Sequence, residues 1–152
     1  MRGFSQARLI TLMLALGGAM SPANAQVADL GQASLDWVNA QRAQSGRGAV
    51  VVSPALTRAA AAHAGDMGKK GYFSHTGANG SSIGDRVRRQ KYRFCFVTEN
   101  IAKGQDTLDE VLRDWMASPE HRRNMLHESA VEFGLVCGPG QLWVMVLGRS
   151  GC

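Results

Sequence analysis

The sequence predicts an α+β domain in which helices cover both faces of a small, mainly antiparallel sheet. Three observations point there. Val131 to Cys137 and Leu142 to Leu147 read as strands that are apolar throughout rather than alternating, as expected of strands buried on both faces. The run Gly138-Pro139-Gly140-Gln141 between them has the residues of a hairpin turn. Upstream, several stretches carry apolar residues at helical spacing or helix-start signals.

The first 25 residues stand apart from this domain. Arg2 and Arg8 precede the apolar run from Leu9 to Leu16, and Ala23-Asn24-Ala25 closes the segment. A basic start, a short apolar run and an A-x-A ending describe a secretory signal peptide. The run falls short of the roughly 20 residues that cross a bilayer, so no stable membrane span is expected; a retained N-terminal anchor is the alternative. The mature chain, residues 26–152, then suits one domain, secreted or periplasmic, and is expected to be a monomer. Losing the two arginines takes the net charge from +5 to +3. With no stripe of Lys or Arg, that argues against a nucleic-acid partner.

Residues 29–45 read as an amphipathic helix through Leu35, Val38 and Arg42, ended by Gly46 and Gly48. Val50-Val51-Val52 is a brief strand or packed loop. Ser53-Pro54 supplies a cap and first position for a second helix, with Leu56, Ala59, Ala60, His63 and Met67 along one face and Gly68 and Gly71 closing it. A histidine on such a face is expected to be a packed, hydrogen-bonded core residue. Tyr72 to Gly80 is a loop of glycine and small polar residues, and its His75 belongs to no periodic pattern. It reads equally well as a binding group or as a solvated side chain. Ser81 or Ser82 caps a third helix, Ile83 to Gln90, whose Arg86, Arg88 and Arg89, with Lys91, read as a solvated basic face.

Phe94 to Ala102 has the aromatic and β-branched content of a strand, with Glu99 inside it. A carboxylate buried there costs several kcal/mol unless it is paired, so Glu99 requires a histidine, an arginine or backbone N–H groups nearby. Thr107 and Glu110 form a capping-box pattern for a fourth helix, with Val111, Leu112, Trp115 and Met116 on its buried face. Pro119 breaks that helix, and Ser118-Pro119 starts a short fifth one. His121 thus falls in a first turn, where the positive end of the helix dipole favours a neutral imidazole able to accept a proton or a metal. An ordinary polar helix start is the plainer alternative.

Cys95, Cys137 and Cys152 allow one disulfide outside the cytoplasm. Cys137 should face a residue near Leu142, roughly 30 Å of extended strand from Cys152, which disfavours that pair. Cys95–Cys152 is expected, with Cys95–Cys137 as the alternative.

Taken together, these residues resemble the bacterial branch of the CAP superfamily (cysteine-rich secretory, antigen 5 and pathogenesis-related 1 proteins; SCP-like domains). The resemblance runs from about Leu35 to Gly148. It rests on Val38-Asn39 with Arg42, Ala61-Ala62-His63-Ala64 with Asp66-Met67, Phe73-Ser74-His75, Glu99-Asn100-Ile101-Ala102, and Trp115 to Arg122 with Asn124. It implies a three-layer α-β-α sandwich with a cleft lined by two histidines and acidic residues, able to hold a divalent metal such as zinc. The matching positions are His75, Glu99 and His121. The resemblance also implies a second cleft glutamate that animal and plant members carry three residues after the helix tryptophan; here that position is Ser118.

The expected function is a secreted binding module for a small envelope or lipid-like ligand. A metal-dependent hydrolase using His75, Glu99 and His121 as ligands is the alternative, and a purely structural tie through Glu99 is the third. The H-E-x-x-H zinc-protease motif is absent, and no Ser–His–Asp or Cys–His nucleophile presents itself.

Overall fold

The computed structural model describes residues 26–152; the signal-peptide expectation falls on residues 1–25, outside the described residues. The elements follow in the order β1 (Ala28–Asp29), α1 (Gly31–Gln44), β2 (Val51–Val52), α2 (Pro54–Lys70), α3 (Ile83–Arg89), β3 (Phe94–Lys103), α4 (Leu108–Ala117), α5 (Pro119–Met125), β4 (Glu132–Gly138) and β5 (Leu142–Ser150). The sheet runs β1-β4-β5-β3 and is antiparallel throughout that path; only β2 joins β4 in parallel. The fold is α+β, a three-layer α-β-α sandwich.

The sheet separates two cores, and the period-2 geometry of a strand decides which residue enters which. Along β5, Trp143, Met145 and Leu147 face α1, α4 and α5, while Leu142, Val144 and Val146 face α2 and α3. The first core adds Val38, Trp115, Met125, Phe133 and Leu135; the second adds Leu56, Ala59, Ala60, Ala64 and Met67. Small residues let α2 approach β4 closely. A Cβ at Gly134 would run into the backbone of Leu56 and Thr57, and one at Gly138 would lie 2.8 Å from the Ala64 Cβ.

Several boundaries differ from the sequence reading for local reasons. Helix α1 starts later because Ala28 and Asp29 pair with Cys137 and Val136 as a short strand, and the Asp29 carboxylate then accepts from Gly31 N at 2.9 Å. Helix α2 runs through Gly68, which packs against Pro139; the chain leaves the helix at Gly71, whose φ of 69° is the left-handed cap that glycine favours. Ser82 caps α3 in a full capping box with Asp85. Thr107 accepts from Glu110 N, but the Glu110 carboxylate turns to Asp106 N at 2.9 Å instead of closing the box on Thr107.

Cys95 and Cys152 form a disulfide with Cα atoms 5.7 Å apart, and Cys137 is free. A bulge between Phe94 and Phe96 sets Cys95 off the regular register of β3. Cys137 faces Trp143 across the hairpin, and burial pushes its thiol up, away from the reactive thiolate.

Candidate functional site

The site is built around β3, which lies at the open edge of the sheet. Successive side chains of a strand point to opposite faces. Glu99 accordingly points toward α2 and α3, while Asn100 points toward α4 and α5. Glu99 is almost fully buried, with 2 % of its side chain exposed. Its charge is met from three directions. Arg86 Nη2 donates to Oε2 at 2.8 Å and to Oε1 at 3.1 Å. His75 Nδ1 lies 2.9 Å from Oε1, and His63 Nε2 lies 3.9 Å from the same oxygen.

Arg86 corrects the sequence reading. It is not part of a solvated basic face: its side chain is only 5 % exposed. Besides the ion pair it donates from Nη1 to the Ser81 carbonyl and from Nη2 to the His75 carbonyl, both at 3.0 Å. One guanidinium therefore fixes both the carboxylate and the loop that carries His75. Arg86, Arg88, Arg89 and Lys91 crowd the end of α3 with almost no apolar spacing to show which of them turns inward. The one available signal is Glu99, which calls for a histidine, an arginine or backbone N–H groups nearby. Arg88 does remain outside, stacked over Phe94 at 4.7 Å.

His63 is buried and hydrogen-bonded, as a core histidine should be, through Nε2 to the Ser74 carbonyl at 2.8 Å. It is also part of the charged cluster, which periodicity could not reveal. Burial holds its pKa below the ordinary imidazole range, with the Glu99 charge opposing that shift and Arg86 reinforcing it. His75 is the exposed member, with 58 % of its side chain accessible. It opens with Glu99 onto a cleft of about 380 Å³, also lined by Thr76, Ser82, Ile83 and Val97.

His121 sits apart from that lining. It occupies the first turn of α5, and its Nδ1 lies 2.9 Å from Ser118 Oγ, so the hydroxyl holds the ring instead of capping the backbone. Asn100 Nδ2 donates to the His121 carbonyl at 3.0 Å, and Asn124 Nδ2 donates to Asn100 Oδ1 at 2.8 Å and to the Glu99 carbonyl at 3.3 Å. These bonds dock α5 against β3. Burial, followed by the charge of His75, lowers the His121 pKa, so the ring favours its neutral form. Glu120, next to it, is exposed and raises that pKa slightly. The position three residues after Trp115 thus holds a hydroxyl and no carboxylate.

The donor set His75, Glu99 and His121 does not fit a three-ligand metal centre as arranged. Both Glu99 oxygens are committed to Arg86 and His75, and among the described residues no group of three or more His, Cys, Asp or Glu side chains is placed to hold an ion. Each histidine uses Nδ1 for its protein contact, and no protein hydrogen bond to either Nε2 is found among the described residues.

An α-β-α sandwich with a charged cluster at the edge strand and a histidine-fronted cleft defines the class. The profile of the cysteine-rich secretory protein family (CAP) matches residues 35–146, and the chain belongs to that family. It is 32 % identical over 110 residues to the protein YkwD of Bacillus subtilis (strain 168), covering 72 % of this chain and 43 % of that one. An extracellular protein containing an SCP domain from Bacillus anthracis str. Ames superposes with a TM-score of 0.73 at 28 % identity, over 78 % of this chain and 40 % of that one. An outer surface protein from Borrelia burgdorferi has the same TM-score of 0.73 at 17 % identity, over 84 % of this chain and 99 % of that one, a likeness of fold. The chain spans less than half the length of the two Bacillus proteins. No helix among the described residues is long and apolar enough to cross a membrane.

Proposed function

We propose that this chain works outside the cytoplasm as a monomeric binding module. Its cleft beside His75 and Glu99, with His121 at the flank, takes a small envelope or lipid-like ligand. The observation that carries this reading is the commitment of Glu99. A general base needs a free carboxylate oxygen, and here both oxygens are held by Arg86 and His75 in a buried cluster. Such an arrangement fixes the exposed imidazole in one orientation, which serves recognition. Ile83 and Val97 offer an apolar wall, and Thr76, Ser82 and His75 offer polar contacts to a head group. The extracellular and outer-surface relatives support the compartment, as does the signal-like segment at residues 1–25.

Mass spectrometry of lipids and small molecules that co-purify with the mature protein tests this reading. A bound species is expected, and His75→Ala should weaken its binding at least about tenfold, the scale of one charge-assisted hydrogen bond. Turnover of a peptide or ester that is lost in His121→Ala would overturn it.

The Nε2 atoms of His75 and His121, which take no protein hydrogen bond among the described residues, favour one second reading, a divalent cation such as zinc held by the two imidazoles with Glu99 orienting His75. On that reading the cation would supply Lewis-acid chemistry for hydrolysis. Metal analysis of protein purified without added metal separates the two: a stoichiometric ion that disappears in His75→Ala supports the second.

A further inference from the structure

The stretch Arg86-Val87-Arg88-Arg89-Gln90-Lys91-Tyr92-Arg93 holds five cations and no acid. Glu99 takes one of them, Arg86, into the interior. Arg88, Arg89, Lys91 and Arg93 stay exposed. Arg58, exposed on α2, joins them, since its Nε donates to Gln90 Oε1 at 3.2 Å. Arg88, Lys91 and Arg93 border one groove of about 570 Å³, whose other walls are Tyr92 and Phe94. One acid, Asp85, lies 3.7 Å from Arg88, and Ser82 holds the same carboxylate in the capping box. The five exposed cations and Asp85 together carry +4, whereas residues 26–152 as a whole carry +3, so everything else carries −1. The positive charge of the mature domain therefore belongs to this face.

The backbone holds these cations in place. The chain leaves α3 through a Schellman motif, with Tyr92 N donating to the Val87 carbonyl and Lys91 N to that of Arg88. Lys91 occupies the left-handed position of that motif at φ 61°, where glycine is the usual residue. Tyr92 is buried, and its hydroxyl donates to Glu132 at 2.5 Å, which pins the turn between Lys91 and Arg93 to β4. The negative end of the helix dipole accounts for cations in the last turn, Arg88 and Arg89. It does not account for Arg58 on α2 or for Arg93 beyond the turn. A lysine kept where glycine would relax the backbone points to a use for its charge.

We propose that this face docks the chain, reversibly, on a bilayer rich in anionic phospholipid. Guanidinium groups bind phosphate oxygens through paired hydrogen bonds. Each Lys or Arg brought to an anionic membrane raises partitioning about fivefold. The cations come from α2, α3 and the turn into β3 and group about one groove. That suits a plane of head groups better than a single extended polyanion, which is gripped by cations in a row. Half-buried Phe94, under Arg88 at 4.7 Å, gives the groove an apolar wall beside the charge. Ser82 and Ile83 of the His75 cleft begin α3 and the cations end it, so the seven helical residues set the cleft about 10 Å from the docked face. The choice of a membrane over nucleic acid rests on the export proposed above; the docking itself is independent of the ligand at His75.

Cosedimentation of the mature protein with vesicles tests this. Vesicles of phosphatidylglycerol and phosphatidylcholine in equal parts should carry the protein down at low salt, and phosphatidylcholine alone should not. Lys91→Gly removes a charge while relaxing the backbone, and alone it should lower partitioning about fivefold. Combined with Arg93→Gln it should lower it at least about tenfold. Arg122→Gln with Arg123→Gln removes as much charge from exposed positions on α5, and it should lower partitioning less than about threefold, being away from the docked face. Linear polyphosphate, titrated by calorimetry, is the soluble-polyanion arm. Binding of polyphosphate without binding of vesicles would assign the face to a soluble polymer and overturn the proposal. Equal sedimentation with both vesicle types, sedimentation with neither, or equal losses in the two paired variants would overturn it as well.

Discussion

The two buried arginines of this domain solve the same problem in opposite ways. Arg42 lies under α1 and spends its guanidinium on backbone alone. Nε donates to the Gly48 carbonyl at 2.7 Å, Nη1 to Met125 at 2.7 Å and His127 at 3.2 Å, and Nη2 to Ala130 at 3.0 Å. Arg86 has a carboxylate partner, two carbonyls and one nitrogen left over. The first arginine ties α1 to the segment after α5, with each of its three nitrogens engaged. The second is held to a side chain and carries the loop of an exposed histidine. The saturated cation belongs to the scaffold, and the one that answers Glu99 belongs to the cluster behind the exposed histidine.

The largest effect is expected from Arg42→Met. It strands several buried carbonyls at once, and equilibrium urea unfolding should show a loss of about 3–5 kcal/mol. No second substitution can repair this, because the partners belong to the backbone. Arg86→Met should also cost about 3–5 kcal/mol, by leaving Glu99 uncompensated. Here the comparison can be sharpened: the double variant Arg86→Met with Glu99→Leu should recover most of that loss, since buried ion pairs often exchange for apolar pairs at little cost. Failure of the double variant to recover would mean that both arginines are scaffold.

The third expectation is smaller and concerns pH. His63 and His121 are held below their ordinary pKa, so the folded protein resists protonation that the unfolded chain accepts. Stability is then full above an unfolded pKa of about 6.5 and falls as pH drops through it toward the folded values. Replacing His63 with Gln should flatten that slope in urea midpoints measured from neutral to mildly acidic pH, whereas Arg42→Lys should leave it unchanged. The smallest effect is expected for Ser118→Ala. It removes the hydroxyl beside His121 Nδ1 from a partly exposed position, worth about 0.5–1 kcal/mol at most, and its readout is a shifted His121 titration by NMR.

Much of the scaffold could be read from local rules. The hairpin, the apolar strands and the Pro-started helices depend on neighbours in sequence, and β4, β5, α2 and α5 lie close to where those rules put them. Glu99 declared its need for a partner, because a carboxylate among strand residues is costly wherever the strand is buried. Which of the possible partners answered was not legible: the pairing of Arg86 with Glu99 depends on how α3 packs against β3, a tertiary fact absent from a short helix crowded with cations. Gly68 misled for a related reason, being small to fit Pro139 and not to end a helix. Strand β1 went unseen because two residues carry no periodicity.

Edge strand β3 has one more consequence. Free carbonyls along a sheet edge invite a strand from another molecule. At Glu99 the carbonyl already accepts from Asn124, and at Ile101 it accepts from the Trp115 indole at 3.4 Å. The side chains that seat α4 and α5 thereby cap the border along which copies of the chain would otherwise zip together. Loss of the Asn124 amide should register as faster aggregation in light scattering, even where the folded state is little weakened.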